Sequence, residues 1–212
     1  MTPSAQTCKT AGTSSRATRL RCVAGIGLLW AAAVQAADPV TPLPSLDVSS
    51  YMGTWYQVAW FPNRFQRQCV SDTTATYKRL PDGNIEVSNR CKLADGRTDE
   101  AMGLARPKDS SVVGDALQPA RLEVSFLPAA LRWLPIWGGY WVLQRAADGR
   151  YAVIGEPKRE YLWVLSRTPG LAPADETEIR SRLIQQGFDL ARWQAHPHAP
   201  SPSAPSTAPA PR

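Results

Sequence analysis

Thr73-Thr74-Ala75-Thr76-Tyr77-Lys78-Arg79-Leu80, then Pro81-Asp82-Gly83-Asn84, then Ile85-Glu86-Val87-Ser88-Asn89-Arg90-Cys91, reads as two β-type runs hinged on a tight turn. Asp-Gly supplies the positive backbone angles that a two-residue hairpin needs. In the second run Ile85, Val87 and Asn89 alternate with Glu86, Ser88 and Arg90, the period of a strand with one buried face. The same grammar extends both ways. Thr54–Phe61 precedes it, and Thr98–Arg106 follows the turn at Ala94-Asp95-Gly96. Beyond a longer connection with Pro107, Gly114 and Pro119 come Arg121–Phe126, Tyr140–Arg145, Tyr151–Gly155 and Tyr161–Arg167. Asp148-Gly149 marks another hairpin. After Thr168-Pro169-Gly170 the period changes to that of a helix over Asp175–Gln186, with acids in its first turn, Ile179 and Leu183 on one face, and Gly187 as a C-terminal cap. Leu190–Trp193 is a candidate ninth strand. Eight strands followed by a helix suit an up-and-down barrel or a β-sandwich, and periodicity alone does not choose between them.

The two ends read differently from the middle. Lys9, Arg16, Arg19 and Arg21 precede an apolar run, Val23–Val34, and no acid occurs before Asp38. With Val34-Gln35-Ala36 as a small-residue cleavage pattern, residues 1–36 read as a secretory signal. A spanning anchor is the alternative, but the run falls well short of the roughly 20 residues that a bilayer requires. No Cys ends the apolar run, so no lipid-attachment site is read. Residues 196–212, rich in Pro, Ser and Ala, have little to bury and are expected to form a disordered tail. The fold is therefore expected within residues 46–193, the size of one domain.

The whole chain carries a net charge of +6, and removing the four basic residues of the signal leaves twenty basic against eighteen acidic, or +2. That balance gives no basic face of the kind nucleic-acid binding demands, so no nucleic-acid partner is expected. Of four cysteines, Cys8 and Cys22 fall in the signal. Cys69 and Cys91 remain, and in an exported chain a disulfide between them is the natural reading, free buried thiols being the alternative.

Catalytic motifs are scarce. His196 and His198 are the chain's histidines and both fall in the expected tail, which leaves the domain without an imidazole base or zinc ligand. No phosphate-binding glycine loop occurs, and no metal or cofactor is expected. Glu86, Glu100, Glu123, Glu156 and Glu160 lie on or near strands and read as solvated outer faces.

Tyr51-Met52-Gly53-Thr54-Trp55-Tyr56 opens the first strand, Asp148 and Tyr151 sit at the sixth hairpin, and Leu165-Ser166-Arg167-Thr168 closes the eighth strand. In this order the residues resemble the lipocalins, in particular the bacterial outer-membrane lipocalins and apolipoprotein D. The resemblance extends over Leu46–Trp193. It implies an all-β fold, an eight-stranded antiparallel up-and-down β-barrel with one C-terminal α-helix packed outside. It also implies that Gly53, Trp55, Asp148, Tyr151 and Arg167 are structural, with the Arg167 guanidinium stacked across Trp55 at the closed end. Bacterial members are commonly lipoproteins, whereas this chain shows no lipid-accepting Cys.

If Trp55 faces inward, alternation places Gln57, Ala59 and Phe61 inward too. On the other strands Ala75 and Tyr77, Leu122, Val124 and Phe126, Tyr140 and Val142, and Trp163 with Leu165 share the inner face. Phe61, Ala75, Tyr77, Val124, Phe126, Tyr140, Val142 and Trp163 are thus the candidate ligand-binding residues, an apolar lining suited to a small hydrophobic ligand such as a fatty acid or lysophospholipid. The loop Leu127–Trp137 is unusually apolar and would cover the mouth or contact a membrane surface. Topology places both cysteines at that same open end. The resemblance implies an exported, non-enzymatic carrier, periplasmic and associated with the outer membrane if bacterial. A lipocalin-fold enzyme acting on a lipid or carotenoid, and a carrier of haem or pigment, are the other readings.

Overall fold

The computed structural model describes residues 38–199. Residues 1–36, read as a signal, and residues 200–212 of the expected tail lie outside the described residues. In chain order the elements are β1 (Leu46–Asp47), α1 (Val48–Tyr51), β2 (Gly53–Trp60), β3 (Ser71–Arg79), β4 (Ile85–Lys92), β5 (Thr98–Pro107), β6 (Ser111–Val113), β7 (Ala116–Gln118), β8 (Arg121–Ser125), β9 (Gly138–Arg145), β10 (Tyr151–Gly155), β11 (Leu162–Ser166), α2 (Pro173–Gln185) and β12 (Gln194–Ala195).

Eight strands form a closed antiparallel barrel in the order β2-β3-β4-β5-β8-β9-β10-β11, with β11 pairing back onto β2. All eight correspond to the runs read from the sequence, within two residues at each end. The long connection after Pro107 holds a hairpin, β6–β7, that pairs with β1 through Leu46 and Leu117. Leu46, Val48, Leu117 and Ala120 are buried against the barrel interior and plug its closed end.

Arg167 fastens that end. Its guanidinium carbon lies 3.6 Å from the Trp55 ring centre. Its nitrogens donate to the carbonyls of Thr54 (2.8 Å), Ser50 (3.0 Å) and Met52 (2.8 Å). Trp55 is fully buried and donates its indole N–H to the Tyr51 carbonyl at 2.8 Å. Gly53 adopts φ +89°, and a Cβ there would meet Arg167 Nη1 at 3.7 Å, so the motif glycine serves a backbone angle that side chains resist.

Helix α2 lies outside the wall. Ile179 and Leu183 are fully buried against Phe61, Leu143, Val153, Val164 and Phe188. Asp175 is buried and takes two hydrogen bonds from Arg150, at 2.8 and 2.5 Å, which hold its carboxyl below the usual range. Asp148 turns back onto Arg150, and Tyr151 is buried beneath the helix. Gly187 follows the helix at φ +75°.

Two expectations fail here. Phe61 does not face inward. Between Val164 and Leu165 the β11–β2 register shifts, with Leu165 opposite Gln57 and Val164 opposite Ala59, so Val58 is an extra residue on β2. This bulge reverses the alternation. Ala59 and Phe61 turn out to the helix layer, where Phe61 meets Phe188 with ring centres 6.3 Å apart. Trp60 takes the inward register, opposite Trp163.

The second failure is the tail. His196–Ala199 is docked rather than disordered. β3 pairs with β2 only along Gly53–Tyr56, leaving the rest of that edge of β2 without a neighbour from β3. β12 pairs with Trp60 and Ala59 instead, and the His196 N–H donates to the Val58 carbonyl at 2.9 Å. Asp72, at φ +53° in a bulge of β3, donates its N–H to the Pro197 carbonyl at 2.9 Å, and its Oδ1 accepts from the Ala199 N–H at 2.7 Å. His196 is buried, its Nε2 2.7 Å from Thr73 Oγ1 and its ring edge-on to Trp60. Compositional reasoning missed this because unpaired strand edge is what gives a polar, proline-rich segment a place to lie. Both histidines therefore belong to the folded domain.

Arg167→Ala is expected to lower unfolding stability by about 1–3 kcal/mol, from the lost stack and carbonyl bonds, read by denaturant titration. An unchanged midpoint would remove Arg167 as the closure. Burial, and the neighbouring His198 ring, push His196 down to about 4, against opposition from Asp72. In the unfolded chain its value is near 6.5, so between these values the unfolded state binds the proton better. His196 thus costs nothing above pH 7 and destabilises by on the order of 2–3 kcal/mol as pH falls toward 4. His196→Gln should flatten the stability slope between pH 7 and 5; parallel slopes in both proteins would refute the assignment.

Candidate functional site

The inner faces of the strands meet at two levels. The lower level is tyrosine. Tyr51 from α1, Tyr77 from β3 and Tyr140 from β9 join hydroxyls across the barrel, Tyr51–Tyr140 at 2.6 Å and Tyr140 donating to Tyr77 at 2.9 Å. Burial raises the pKa of all three, Tyr77 to about 12, so the hydroxyls stay protonated and neutral. Around them pack Ala75, Val87, Leu122, Val142, Ile154 and Leu165, all buried. Ala75, Tyr77, Tyr140 and Val142 therefore lie together as the sequence suggested, but as a bonded floor rather than loose wall. Val124 packs against the same cluster, partly buried.

The upper level is mixed. Trp163 faces in from β11 and donates its indole N–H to Gln66 Oε1 at 2.8 Å. Gln66, in the helical turn Arg64–Gln66 of the first connection, donates in turn to Gln57 Oε1 at 2.9 Å. Two buried polar atoms here lack a partner among the described residues, Gln57 Nε2 and Asn89 Oδ1. Asn89 shares the inward parity of Ile85 and Val87 and pairs with Ala75. Each such atom costs about 1–3 kcal/mol when unpaired. A file of aromatic rings leads outward: Trp163 stacks on Tyr161 at 5.9 Å and 8°, and Tyr161 meets Phe65 at 5.6 Å. Phe126 ends β8's inward series at the rim, its ring against Gly103 where a Cβ would come within 2.8 Å. It is 44% exposed.

Sequence reading missed Gln66, Phe65 and Trp60 as site residues. Gln66 and Phe65 sit in a loop, where no strand period reveals direction, and Trp60 was hidden by the bulge. Gln57 and Asn89 were legible as inward positions, but not as unsatisfied ones. Among the carboxylates, Glu123 and Glu156 are buried rather than solvated. Glu156 accepts from the backbone N–H groups of Lys158, Glu160 and Tyr161 and holds the seventh connection. No group of three potential metal-ligating His, Cys, Asp or Glu side chains occurs among the described residues.

Cys69 and Cys91 are bonded, and tie the first connection, with Gln66, to the end of β4 at the open rim. The bridge closes a loop of sequence separation 22. Replacing both cysteines by serine is expected to cost about 3 kcal/mol of stability by chain-entropy reasoning, and to loosen the Gln66–Trp163 contact. Denaturant titration and the indole emission of the variant test this; unaltered stability would show the bridge to be dispensable.

Comparison with known proteins fits this geometry. A family model for a lipocalin-like domain matches residues 46–198. Temperature-induced lipocalin-1 of Arabidopsis thaliana is 36% identical over 165 residues, covering 77% of this chain and 86% of that one. The outer membrane lipoprotein Blc of Escherichia coli K12 is 34% identical over 155 residues, covering 73% and 80%. Among solved structures, the cockroach allergen Per a 4 superposes with a TM-score of 0.57 at 14% identity, over 77% of this chain and 96% of that one, a likeness of fold alone. With the closed barrel, the Arg167–Trp55 clamp and the matched span in agreement, this chain belongs to the lipocalin family.

Proposed function

We propose that this chain is an exported carrier that holds one small hydrophobic amphiphile, a fatty acid or lysophospholipid, with its tail toward the tyrosine floor and its polar end at the mouth. The observation that carries this is the polarity gradient of the inner wall. Apolar side chains surround the floor, whereas Gln57, Gln66 and Asn89 stand at the upper level with a donor and an acceptor unspent. A headgroup bearing both kinds of atom would relieve them, and an acyl chain would lie along Trp163, Val124 and Phe126. Among the described residues, the tyrosine floor and the Gln57–Gln66–Asn89 level above it include no histidine, free thiol or carboxylate, which favours binding over turnover. The disulfide suits an oxidising compartment, consistent with export and, in a bacterium, the periplasm.

The loop 127–137 would serve as the membrane-facing rim. Trp133 is 77% exposed and Ile136 60%. Large exposed apolar side chains clustered beside a ligand mouth mark a surface that meets apolar matter. Titration of long-chain fatty acid and lysophosphatidylcholine, followed by indole fluorescence, is expected to saturate. Trp163→Ala should weaken binding by about 1–3 kcal/mol, the value of one large buried side chain. Trp133→Ser with Ile136→Ser should slow uptake from vesicles while leaving binding of monomeric ligand intact. Saturation by no apolar amphiphile, or normal binding by Trp163→Ala, would overturn the carrier reading.

A further inference from the structure

The outer face of β9 carries a second arrangement. Gly139 and Trp141 face outward, opposite in parity to Tyr140 and Val142 of the floor, and Trp137, immediately before β9, lines the same outer hollow. Gly139 leaves a gap between the two indoles. Two adjoining hollows of about 180 and 270 Å³ open there and share Lys108, Glu123 and Trp137, with Arg121, Trp141 and Pro157 on one and Arg106 and Pro135 on the other. Arg106 lies 3.8 Å over the Trp137 ring, and Arg121 4.5 Å over Trp141.

The cations are not equivalent. Glu123 is buried and takes Arg106 at 2.5 Å and Lys108 at 3.1 Å. Burial alone would raise its pKa, but these two partners outweigh that and hold it below the usual carboxylate range. Asp109 also lines the first hollow, so three cations face two carboxylates. Arg121 is the one left over. Among the described residues its guanidinium makes no hydrogen bond or ion pair, and its Nε is buried. A planar fork of donors held flat on an indole, with no acceptor, is a receptor for an oxyanion.

We propose that this outer hollow binds the phosphate of an anionic phospholipid in the membrane, a proposal that rests on loop 127–137 meeting that membrane. Pro135 and Trp137 continue the hollow directly into the exposed apolar loop. Gly139, level with Glu123 and Arg106, lies two residues behind Trp137, about 7 Å at the rise of a strand, which matches the roughly 5–7 Å of headgroup layer over each hydrocarbon leaflet. Arg121, level with Trp141, lies about 13 Å behind Trp137. With the loop in the acyl region, Arg106 stands at phosphate level, and the indoles lie at the interface where such rings settle. Arg121 and Lys108 stand at the outer edge of the headgroup layer, which the first hollow joins to Gly139 and Trp137. The barrel ligand and this headgroup are separate molecules on opposite faces of one strand.

The test is binding of the full chain to vesicles of phosphatidylcholine alone and of phosphatidylcholine mixed with phosphatidylglycerol. The wild type is expected to prefer the mixed vesicles by on the order of tenfold. Arg121→Gln should lose most of that preference, with fatty-acid binding intact as a check on folding. Arg121→Lys, which keeps the charge and loses the fork, should fall between. Arg97→Gln removes an equal charge from the β4–β5 turn at the open rim, outside the hollow, and should keep the preference. Equal losses in Arg97→Gln and Arg121→Gln would mean diffuse attraction and overturn the site, as would an undiminished preference in Arg121→Gln. Release from mixed vesicles by soluble glycerol phosphate, with equal affinity for that ion in solution, would make this a free-phosphate site and overturn the lipid assignment. Absence of binding to neutral vesicles, with the Arg121-dependent response to phosphatidylglycerol retained, would refute insertion of the apolar loop and leave the headgroup site standing.

Discussion

Everything in this barrel depends on the seam where its last strand meets its first. An open eight-stranded sheet would leave two unpaired edges, and pairing β11 with β2 removes both. The pairing is non-local, joining residues more than a hundred positions apart, so its closure entropy is met only when the seam is held by more than backbone bonds. Arg167 supplies the hold. It leaves the end of β11, lies flat on Trp55 of β2, and satisfies carbonyls of the segment entering that strand. One side chain thereby fixes the seam, closes the end of the barrel and orients the helix that delivers Tyr51 to the floor.

The seam also explains where reading the sequence succeeded and where it stopped. Strand positions were legible because turn residues such as Asp82-Gly83 and Asp148-Gly149 are local signals, and alternation along β4 is written in the residues themselves. The direction of Phe61 was not legible. A bulge at Val58 follows from how β2 fits β11 across the closed seam, a relation between distant strands that leaves no mark on either one. Its effect on the site is large, because a single inserted residue exchanges Phe61 for Trp60 on the inner face. Likewise His196 belongs to the fold only because β3 parts from β2 and leaves an edge to cover. Composition speaks to what a segment can bury by itself, and His196 is buried by what others left open.

The polar residues of the candidate site were the least legible. Tyr77 and Tyr140 were placed on the inner face correctly, yet their hydroxyls are engaged with Tyr51, which arrives from outside the strand pattern. Gln66 comes from a connection, and reaches Trp163 and Gln57 because a disulfide pins that connection to β4. Side chains in loops acquire direction from tertiary constraints, whereas strand side chains inherit it from the pleat.

Strand β9 shows how one short sequence can serve two surfaces. In Trp137-Gly138-Gly139-Tyr140-Trp141-Val142 the inward set is Gly138, Tyr140 and Val142, and the outward set is Gly139 and Trp141, with Trp137 immediately before the strand lining the same outer hollow. The glycines therefore have different tasks. Gly138 opposes Val124 beneath the mouth, and Gly139 opposes Glu123 between the outer indoles. Because the period is two, a register slip of one residue would exchange the two sets, placing Trp141 against the tyrosine floor and Tyr140 outside. The floor guards against this: the Tyr140 hydroxyl can bond both Tyr51 and Tyr77 only in the register observed, so the hydrogen bonds inside the barrel also hold Trp137 and Trp141 against Arg106 and Arg121 on its outer wall.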